Sequence, residues 1–477
     1  MFIGRTDYLE KLDRLWHKGA ASFVVVSGRR RIGKSTMFEE FAARSKCRFI
    51  EIEGLGDDPE MSNQKQLDNF CERLSHATRS PRAVAECWPQ AFDALDHELA
   101  GNARTIVFLD EISWMGKYDS SFAAFLKNAW DAQFSRHGRL IFVIAASVSA
   151  WIQDNVLKSR AFVGRVSLDI ILPELSLPEC TQFWGRSANR TDVRTMLDVL
   201  SITGGVPKYL QEMDTSLSVD ENVRNMCFLP EGCLFGDFDR IFDDAFDRTV
   251  VSKRRIMMML ADGSASVSDL AEKFGRNPGG SLTQDLRDLV EAGFLSASCG
   301  KNPQTGKDVR EVRYRIRDNY ARFYLKYVLP HREAIKNGLF RFSSVDRLPG
   351  WESMLGLQFE NLVLNNLSLL RPLIGLGSQM VLSAAPYFRR GGKTTGPGVQ
   401  IDMLIQTPKA VYLVEVKRRK RIEAAIEDEI QRKVTGLGGL VGKSVRTVLV
   451  YEGDLVPEVE ESGYFDFLVP AEKLLGR

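Results

Sequence analysis

The run Val24-Val25-Val26-Ser27-Gly28-Arg29-Arg30-Arg31-Ile32-Gly33-Lys34-Ser35-Thr36 leaves its chain little choice of local fold. Three β-branched residues predict a buried strand. G-x-x-x-x-G-K-S follows, and Met37 to Ala43 continues with a helical pattern. Strand, glycine loop and helix in this order make a phosphate-binding loop. Gly28 and Gly33 allow backbone conformations that turn several N–H groups inward as a nest for phosphate oxygens. The helix behind them adds its positive N-terminal dipole. Lys34 is placed to reach the β- and γ-phosphates of ATP, and the Ser35 hydroxyl to ligate Mg²⁺. Gly28, Arg29, Arg30, Arg31, Ile32, Gly33, Lys34, Ser35 and Thr36 are therefore the expected nucleotide contacts.

At 477 residues the chain is too long for one ordinary core, and about three domains is the prior. Its formal charge of +2 excludes a globally polyelectrolyte character, so any nucleic-acid surface is local. Seven scattered cysteines with no C-x-x-C pair argue against a disulfide framework and against a zinc site. They fit a reducing cytoplasm, which is the expected location. No apolar signal segment follows Met1. No uninterrupted apolar run approaches the ~20 residues of a membrane helix, so no membrane partner is expected.

Three more stretches bear on nucleotide chemistry. Thr105-Ile106-Val107-Phe108-Leu109-Asp110-Glu111 is an apolar strand ending in two carboxylates, the pattern of a Walker B element. Asp110 would hold Mg²⁺ through a water and Glu111 would polarise the attacking water. Leu140 to Ser147 is a second buried strand ending in a hydroxyl, and Ser147 is the candidate that senses the γ-phosphate. A serine at a strand end is also common without any such role. Gly164-Arg165 offers an arginine finger for a neighbouring subunit's site, with Arg160 less favoured; a surface ion pair would explain Arg165 equally well.

Phe2-x-Gly4-Arg5, GRRRIGKST, FLDEISWM, AASVSAWI, Gly164-Arg165 and Gly204-Gly205-Val206-Pro207 occur in the order of a prokaryotic family of AAA-type ATPases related to the STAND and origin-recognition ATPases. The resemblance covers about half the chain. It implies an α/β P-loop NTPase three-layer core over 1–175 and a helical lid over 176–245. It also implies a box at Phe2–Arg5 near the adenine and a lid element in which Pro207 approaches the nucleotide. The family's strand-end Gly-Ser is Ala146-Ser147 here, a departure from the family pattern at the sensor position.

Residues 246–330 read as three helices and a hairpin, the winged helix-turn-helix order. Helices are expected over Arg255–Ala261, over Val267–Phe274 with Ser266 as cap, and from Ser281 onward, with a second strand over Val309–Ile316. Arg276-Asn277-Pro278-Gly279-Gly280 forms the turn between the second and third helices. Thr283, Gln284 and Arg287 lie off the apolar face, and Lys301, Lys307 and Arg310 fall on the wing. DNA is one partner for such a module; a lid or protein-contact role is the other.

In the last third, Gln400–Ile405 and Ala410–Lys417 read as two strands joined by Thr407-Pro408-Lys409. The spacing Asp402-x₁₂-Glu415-x-Lys417 brings two carboxylates and an ammonium together, because period two keeps Glu415 and Lys417 on one face. Such a set suits a Mg²⁺ site for phosphodiester hydrolysis, with Asp402 and Glu415 as ligands. The pattern resembles the PD-(D/E)XK nuclease superfamily, which implies a restriction-endonuclease-like α/β domain over 345–477. That resemblance adds Glu360 on an upstream helix as a third carboxylate and Gln431 on the helix after the core. Members of this fold can lose activity and keep the shape. Lys417-Arg418-Arg419-Lys420-Arg421 is a basic run suited to phosphates, extended by Arg389, Arg390 and Lys393.

The expected whole is an ATP-hydrolysing AAA-type ATPase coupled to a Mg²⁺-dependent DNA nuclease-like domain. It binds DNA through the winged helix and the basic run, forms a homo-oligomer through Arg165, and serves DNA processing or defence. Two alternatives stand beside it: a STAND-like switch with an inactive nuclease fold, and a DNA-binding loader without cleavage.

Overall fold

Contacts divide the chain into two units, Met1–Leu175 and Ser176–Arg477. The structure is a computed structural model and describes residues 2–56, 58–101, 103–147, 149–246, 250–275, 279–309, 311–392, 398–440 and 442–477. Arg310, Lys393 and the turn residues Arg276, Asn277 and Pro278 lie outside the described residues.

The first unit is built on five parallel strands. They are β1 (Ser22–Ser27), β2 (Arg48–Glu53), β3 (Thr105–Asp110), β4 (Leu140–Ala146) and β5 (Val166–Ile171), in the order β2-β3-β4-β1-β5. A parallel sheet is covered by helices on both faces, so its central strands are apolar throughout rather than alternating. Val24 and Val26 of β1 pack on one side with Leu12 of helix Thr6–Trp16 and Phe38 of helix Lys34–Ser45. Phe23 and Val25 pack on the other with Trp88, Phe92 and Phe122. Each fully buried side chain of this size contributes about 1.5–3 kcal/mol. The chain leaves β1 for β2 on one side of the sheet and later leaves β4 for β5 on the other. That reversal opens a crevice outside the carboxyl ends of β1 and β4, where ligands bind in open α/β sheets.

The second unit begins with helices. Helix Val193–Thr203 stops at Gly204, whose φ of 57° suits a residue without Cβ, and Pro207 opens helix Pro207–Gln211 at its first turn. Helices Val250–Leu260, Val267–Phe274 and Gly280–Glu291 follow, with β6 (Ala265–Ser266), β7 (Leu295–Ser298) and β8 (Arg313–Ile316) in the antiparallel order β6-β8-β7. This is a winged helix. Ser266 accepts from the Asp269 N–H at 3.2 Å and Asp269 accepts from the Ser266 N–H at 2.9 Å, a reciprocal cap. The second wing strand is shorter than the Val309–Ile316 expected, starting at Arg313. One apolar core runs from Ile202 and Tyr209 through Phe238, Leu260, Leu286 and Tyr324 to Met354.

The chain closes with a mixed sheet. Helix Trp351–Asn365 precedes the antiparallel strands β9 (Ser383–Arg389), β10 (Val399–Gln406) and β11 (Ala410–Ile422). Helix Ala425–Leu437 then crosses to β12 (Ser444–Leu455), parallel to β11, and β13 (Phe467–Pro470) completes the order β13-β12-β11-β10-β9. All seven cysteines are free thiols. Among the described residues no helix is long and apolar enough to cross a membrane.

Candidate functional site

The glycine loop sits at the carboxyl end of β1, and both glycines are required there. A Cβ on Gly28 would stand 2.7 Å from the Leu172 carbonyl, and Gly33 has φ 84° at the cap of helix Lys34–Ser45. Arg31 (φ 68°), Arg5 (φ 63°) and Glu111 (φ 49°) are held in the left-handed region without that freedom. Such backbone costs of order 1–3 kcal/mol per residue and concentrates at sites that bind or react. The Arg5 side chain is buried and donates to the Ile32 carbonyl at 3.2 Å and the Glu174 carbonyl at 3.5 Å. The Phe2–Arg5 box therefore braces the glycine loop directly.

The strand order places β4 between β1 and β3, so Ser147 falls between Lys34 and Glu111. Lys34 donates to the Gly28 carbonyl at 3.1 Å and to Ser147 Oγ at 3.3 Å. Ser147 gives its N–H to Glu111 Oε2 at 3.2 Å, and its hydroxyl donates to Glu111 Oε1. Arg30 stands 3.9 Å from Glu111 and over the Trp114 ring at 5.1 Å. Asp110 accepts from the Glu111 N–H at 2.9 Å. Burial raises the Asp110 carboxyl to about 6, against the pull of Lys34. Burial also lowers the Lys34 ammonium, opposed by Glu111 and Asp110. Ser35 and Thr36 lie in the first turn of helix Lys34–Ser45. The donor set fits a triphosphate and its cation: an ammonium, inward N–H groups, a hydroxyl and two carboxylates.

Arg165 is held at 2.6 and 2.8 Å by both oxygens of Asp131, on helix Phe122–Ala132. That bidentate pair draws the Asp131 carboxyl down to about 2. Arg160 is exposed, and Pro207 lies in the second unit.

In the terminal sheet, Met403 of β10 faces Val414 of β11, and Asp402 and Glu415, the next residue on each strand, lie within electrostatic reach of each other. The pairing of β10 with β9 shifts between Ile401 and Leu404, a bulge that takes in Asp402 and Met403. Bulges re-aim side chains beside sites. Asp402 accepts from the Val416 N–H at 2.8 Å. Lys417 reaches Glu415 at 3.3 Å and Glu429 at 2.8 Å. Glu415 is fully buried, and burial lifts it to about 7; Asp402 is lifted to about 6 for the same first reason. The Glu415 carboxylate is held by two ammonium groups, Lys433 at 2.7 Å and Lys417 at 3.3 Å. Glu360, on helix Trp351–Asn365, is pushed up by burial and lies within electrostatic reach of Asp402 and Glu415. Among the described residues no group of three or more His, Cys, Asp or Glu side chains is arranged to hold a metal ion. Asp402 with Glu415 is the pair chemically suited to one.

A cleft of about 910 Å³ adjoins the pair, lined by Asp402, Lys417, Gln431, Lys433 and Arg389 among others. Gln431 lines it while accepting from the Tyr464 hydroxyl at 3.1 Å. Sequence reasoning missed Lys433, which lies 2.7 Å from Glu415, and Glu429, its partner one helical turn earlier. Their i, i+4 spacing beside Gln431 was the available signal.

The basic run needs one correction. Arg418 is not a phosphate contact: alternation along β11 turns it away from Lys417, to Glu452 at 3.1 Å and Asp198 at 2.5 Å, and only 1% of its side chain is exposed. Arg419, Lys420 and Arg421 are exposed. Arg390 pairs with Asp269 at 2.5 Å. The wing is docked as well: Gln406 donates to the Lys301 carbonyl at 2.6 Å, Gln304 donates to the Leu437 carbonyl, and Lys301 pairs with Asp308 at 2.8 Å. Thr283, Gln284 and Arg287 are exposed.

The model of the ATPase family associated with various cellular activities matches residues 24–169, which span β1, the glycine loop, the Walker B strand and Ser147. Residues 24–169 are an AAA ATPase domain. Behind the AAA domain, the model of the bacterial regulatory protein, arsR family, matches residues 251–297, the winged helix. An uncharacterized protein of Methanocaldococcus jannaschii is 20% identical over 423 residues, 87% of each chain. An uncharacterized ATP-binding protein of the same organism is 35% identical over 52 residues, 11% of this chain and 88% of that one. Among solved structures, the Walker-type ATPase of Pyrococcus abyssi is similar at 14% identity and a TM-score of 0.49, covering 68% of this chain and 96% of that one. The ORC2 protein of Aeropyrum pernix is similar at 15% identity and a TM-score of 0.43, covering 70% and 94%.

Proposed function

We propose that the AAA domain hydrolyses ATP with Mg²⁺ held by Ser35 and Asp110, and that its cycle governs a Mg²⁺-dependent, PD-(D/E)XK-type nuclease in the terminal sheet, acting on DNA. The observation that carries the second half is that Asp402, next to the Met403–Val414 pair of the β10–β11 hairpin and beside a bulge, lies within electrostatic reach of Glu415, with Lys417 3.3 Å from Glu415. The element order of helix, three antiparallel strands, helix and parallel strand supports the same reading. A bound cation would lower the pKa of its water and neutralise the phosphate. The chain's own groups do the rest. Asp402 and Glu415 present oxygens, Lys417 orients the nucleophile, Glu360 adds negative charge behind them, and Lys433 and Gln431 face the cleft. In the AAA domain, Glu111 orients water with Ser147 fixing its carboxylate, and the glycine loop cradles the phosphates. Arg165 completes a neighbour's site in a homo-oligomer once released from Asp131. Domains at 1–175, 176–245, 246–330 and 345–477 carry these tasks, in DNA processing or defence within the cytoplasm.

The second reading, a switch with an inactive nuclease fold, draws on Lys433 lying 2.7 Å from Glu415, where it neutralises the carboxylate. A matrix of ATP against Mg²⁺ and Mn²⁺, assayed on linear, branched and single-stranded DNA, decides between them. Metal-dependent cleavage supports the nuclease; inert protein in every cell of the matrix supports the switch.

A further inference from the structure

A second cavity, of about 260 Å³, meets the cleft at Asp402, which lines both. Its walls come from two modules. Arg313 and Arg315 project from β8 of the winged helix, while Glu360, Phe388 and Asp402 belong to the terminal domain. Arg322, from helix Asn319–Phe323, lines it too. The Arg322 guanidinium is buried and spends two nitrogens on Gln358 Oε1 and the Ile316 carbonyl, both at 3.2 Å. Its Nε has no partner. A buried guanidinium with an unsatisfied donor is costly unless an anion bonds to it; burial draws its pKa down to about 10, against the pull of Glu360 and Asp262, which line the same cavity without a hydrogen bond to it. Arg315 donates to Asn365 Oδ1 at 2.9 Å and is part-exposed toward the same space. Arg313 lies over the Phe388 ring at 4.0 Å, a planar platform of the kind on which bases stack.

We propose that this cavity receives the terminal nucleotide of a nucleic-acid strand, its phosphomonoester against Arg315 and Arg322 and its base against the Phe388–Arg313 platform. Arginine forks suit a terminal phosphate because it offers several oxygens in one plane of approach. The space admits one nucleotide and no duplex, and Asp402 stands at its mouth, so a strand anchored there runs into the cleft past Lys417. This rests on the nuclease reading for its purpose and not for its test.

The test is fluorescence anisotropy on the full chain carrying Lys34→Ala, which silences the glycine loop, in EDTA so that nothing is cut. The probes are single-stranded oligonucleotides ending in a 5′-phosphate, a 3′-phosphate or hydroxyls only. One phosphorylated end should bind about tenfold tighter than the hydroxyl strand. Arg315→Gln, at a part-exposed site, should erase that preference, and Arg322→Gln should do the same where it folds. Phe388→Ala should weaken all strands alike by about tenfold. Equal binding of the three probes overturns the proposal, and so does a preference that survives Arg315→Gln. Protein that never cleaves but keeps the preference keeps the pocket and loses the nuclease; protein that cleaves without preference does the reverse.

Discussion

Asp198, on helix Val193–Thr203, meets Arg418 of β11 at 2.5 Å, one residue beyond Lys417. Arg418 also holds Glu452 at 3.1 Å, so a single guanidinium joins the helical segment after Ser176 to two strands of the terminal sheet. Arg418→Ala takes the cation from half-buried Asp198 and leaves buried Glu452 with Arg194 alone, at 4.0 Å, and should cost about 3 kcal/mol in the second unit. It should not alter the salt dependence of DNA binding. Removing Arg419, Lys420 or Arg421 should flatten that slope by ~0.9 for each phosphate no longer neutralised. Chemical denaturation and a salt titration read the two effects separately; an Arg418 variant that changes only the slope would refute the assignment.

Lys34→Ala should abolish nucleotide binding. Glu111→Gln should bind normally and lose turnover, because only the water-polarising carboxylate is gone. Ser147→Ala removes the hydroxyl that donates to Glu111 and that Lys34 reaches, and should lower kcat with binding retained. Wild-type turnover in Glu111→Gln, measured by phosphate release, would exclude it as the catalytic carboxylate.

Asp402→Ala and Glu415→Ala should each stop DNA cleavage. Lys417→Ala should stop it while sparing most metal binding, read by calorimetry with Mn²⁺. Basal ATP hydrolysis should be unchanged in all three, since the glycine loop belongs to the other unit. If Lys417→Ala cuts at the normal rate, the ammonium has no part in the chemistry.

Glu51 on β2 gives a pH prediction. Burial first, then Glu39, Asp110 and Glu53, raise its carboxyl from 4.5 to about 7 in the folded chain. The folded state therefore keeps a proton that the unfolded state gives up. Its contribution to stability is neutral below the unfolded pKa, falls as pH rises from about 4.5 to 7, and stays unfavourable above. Glu51→Gln should raise the melting temperature at pH 8 and leave it unchanged at pH 4. Equal melting curves for the two proteins at pH 8 would show that Glu51 is not strained.

The glycine loop, the Walker B strand and Ser147 were legible because each is a local strand-to-turn pattern, and β4 between β1 and β3 then brings them together. Asp402, Glu415 and Lys417 were legible because period two and a short turn fix the register. What was not legible is long-range. The fate of Arg418 depends on Asp198, 220 positions away, and nothing within the run distinguishes it from Arg419. Lys433 required knowing that helix Ala425–Leu437 packs over the hairpin. Arg313 and Arg315 fall inside the expected strand Val309–Ile316, and nothing local marks them as sharing a cavity with Glu360 and Asp402.

The two glutamine bonds that dock the wing limit how much of a base sequence this chain can read. A winged helix that keeps its wing free reads a duplex with two probes; with Gln304 and Gln406 fastening this one to the terminal domain, only the face carrying Thr283, Gln284 and Arg287 is left to a groove. A single helix addresses a few base edges at most. On the proposed nuclease reading, target choice would then come largely from strand structure, such as ends, gaps or branches, and little from the letters written along it.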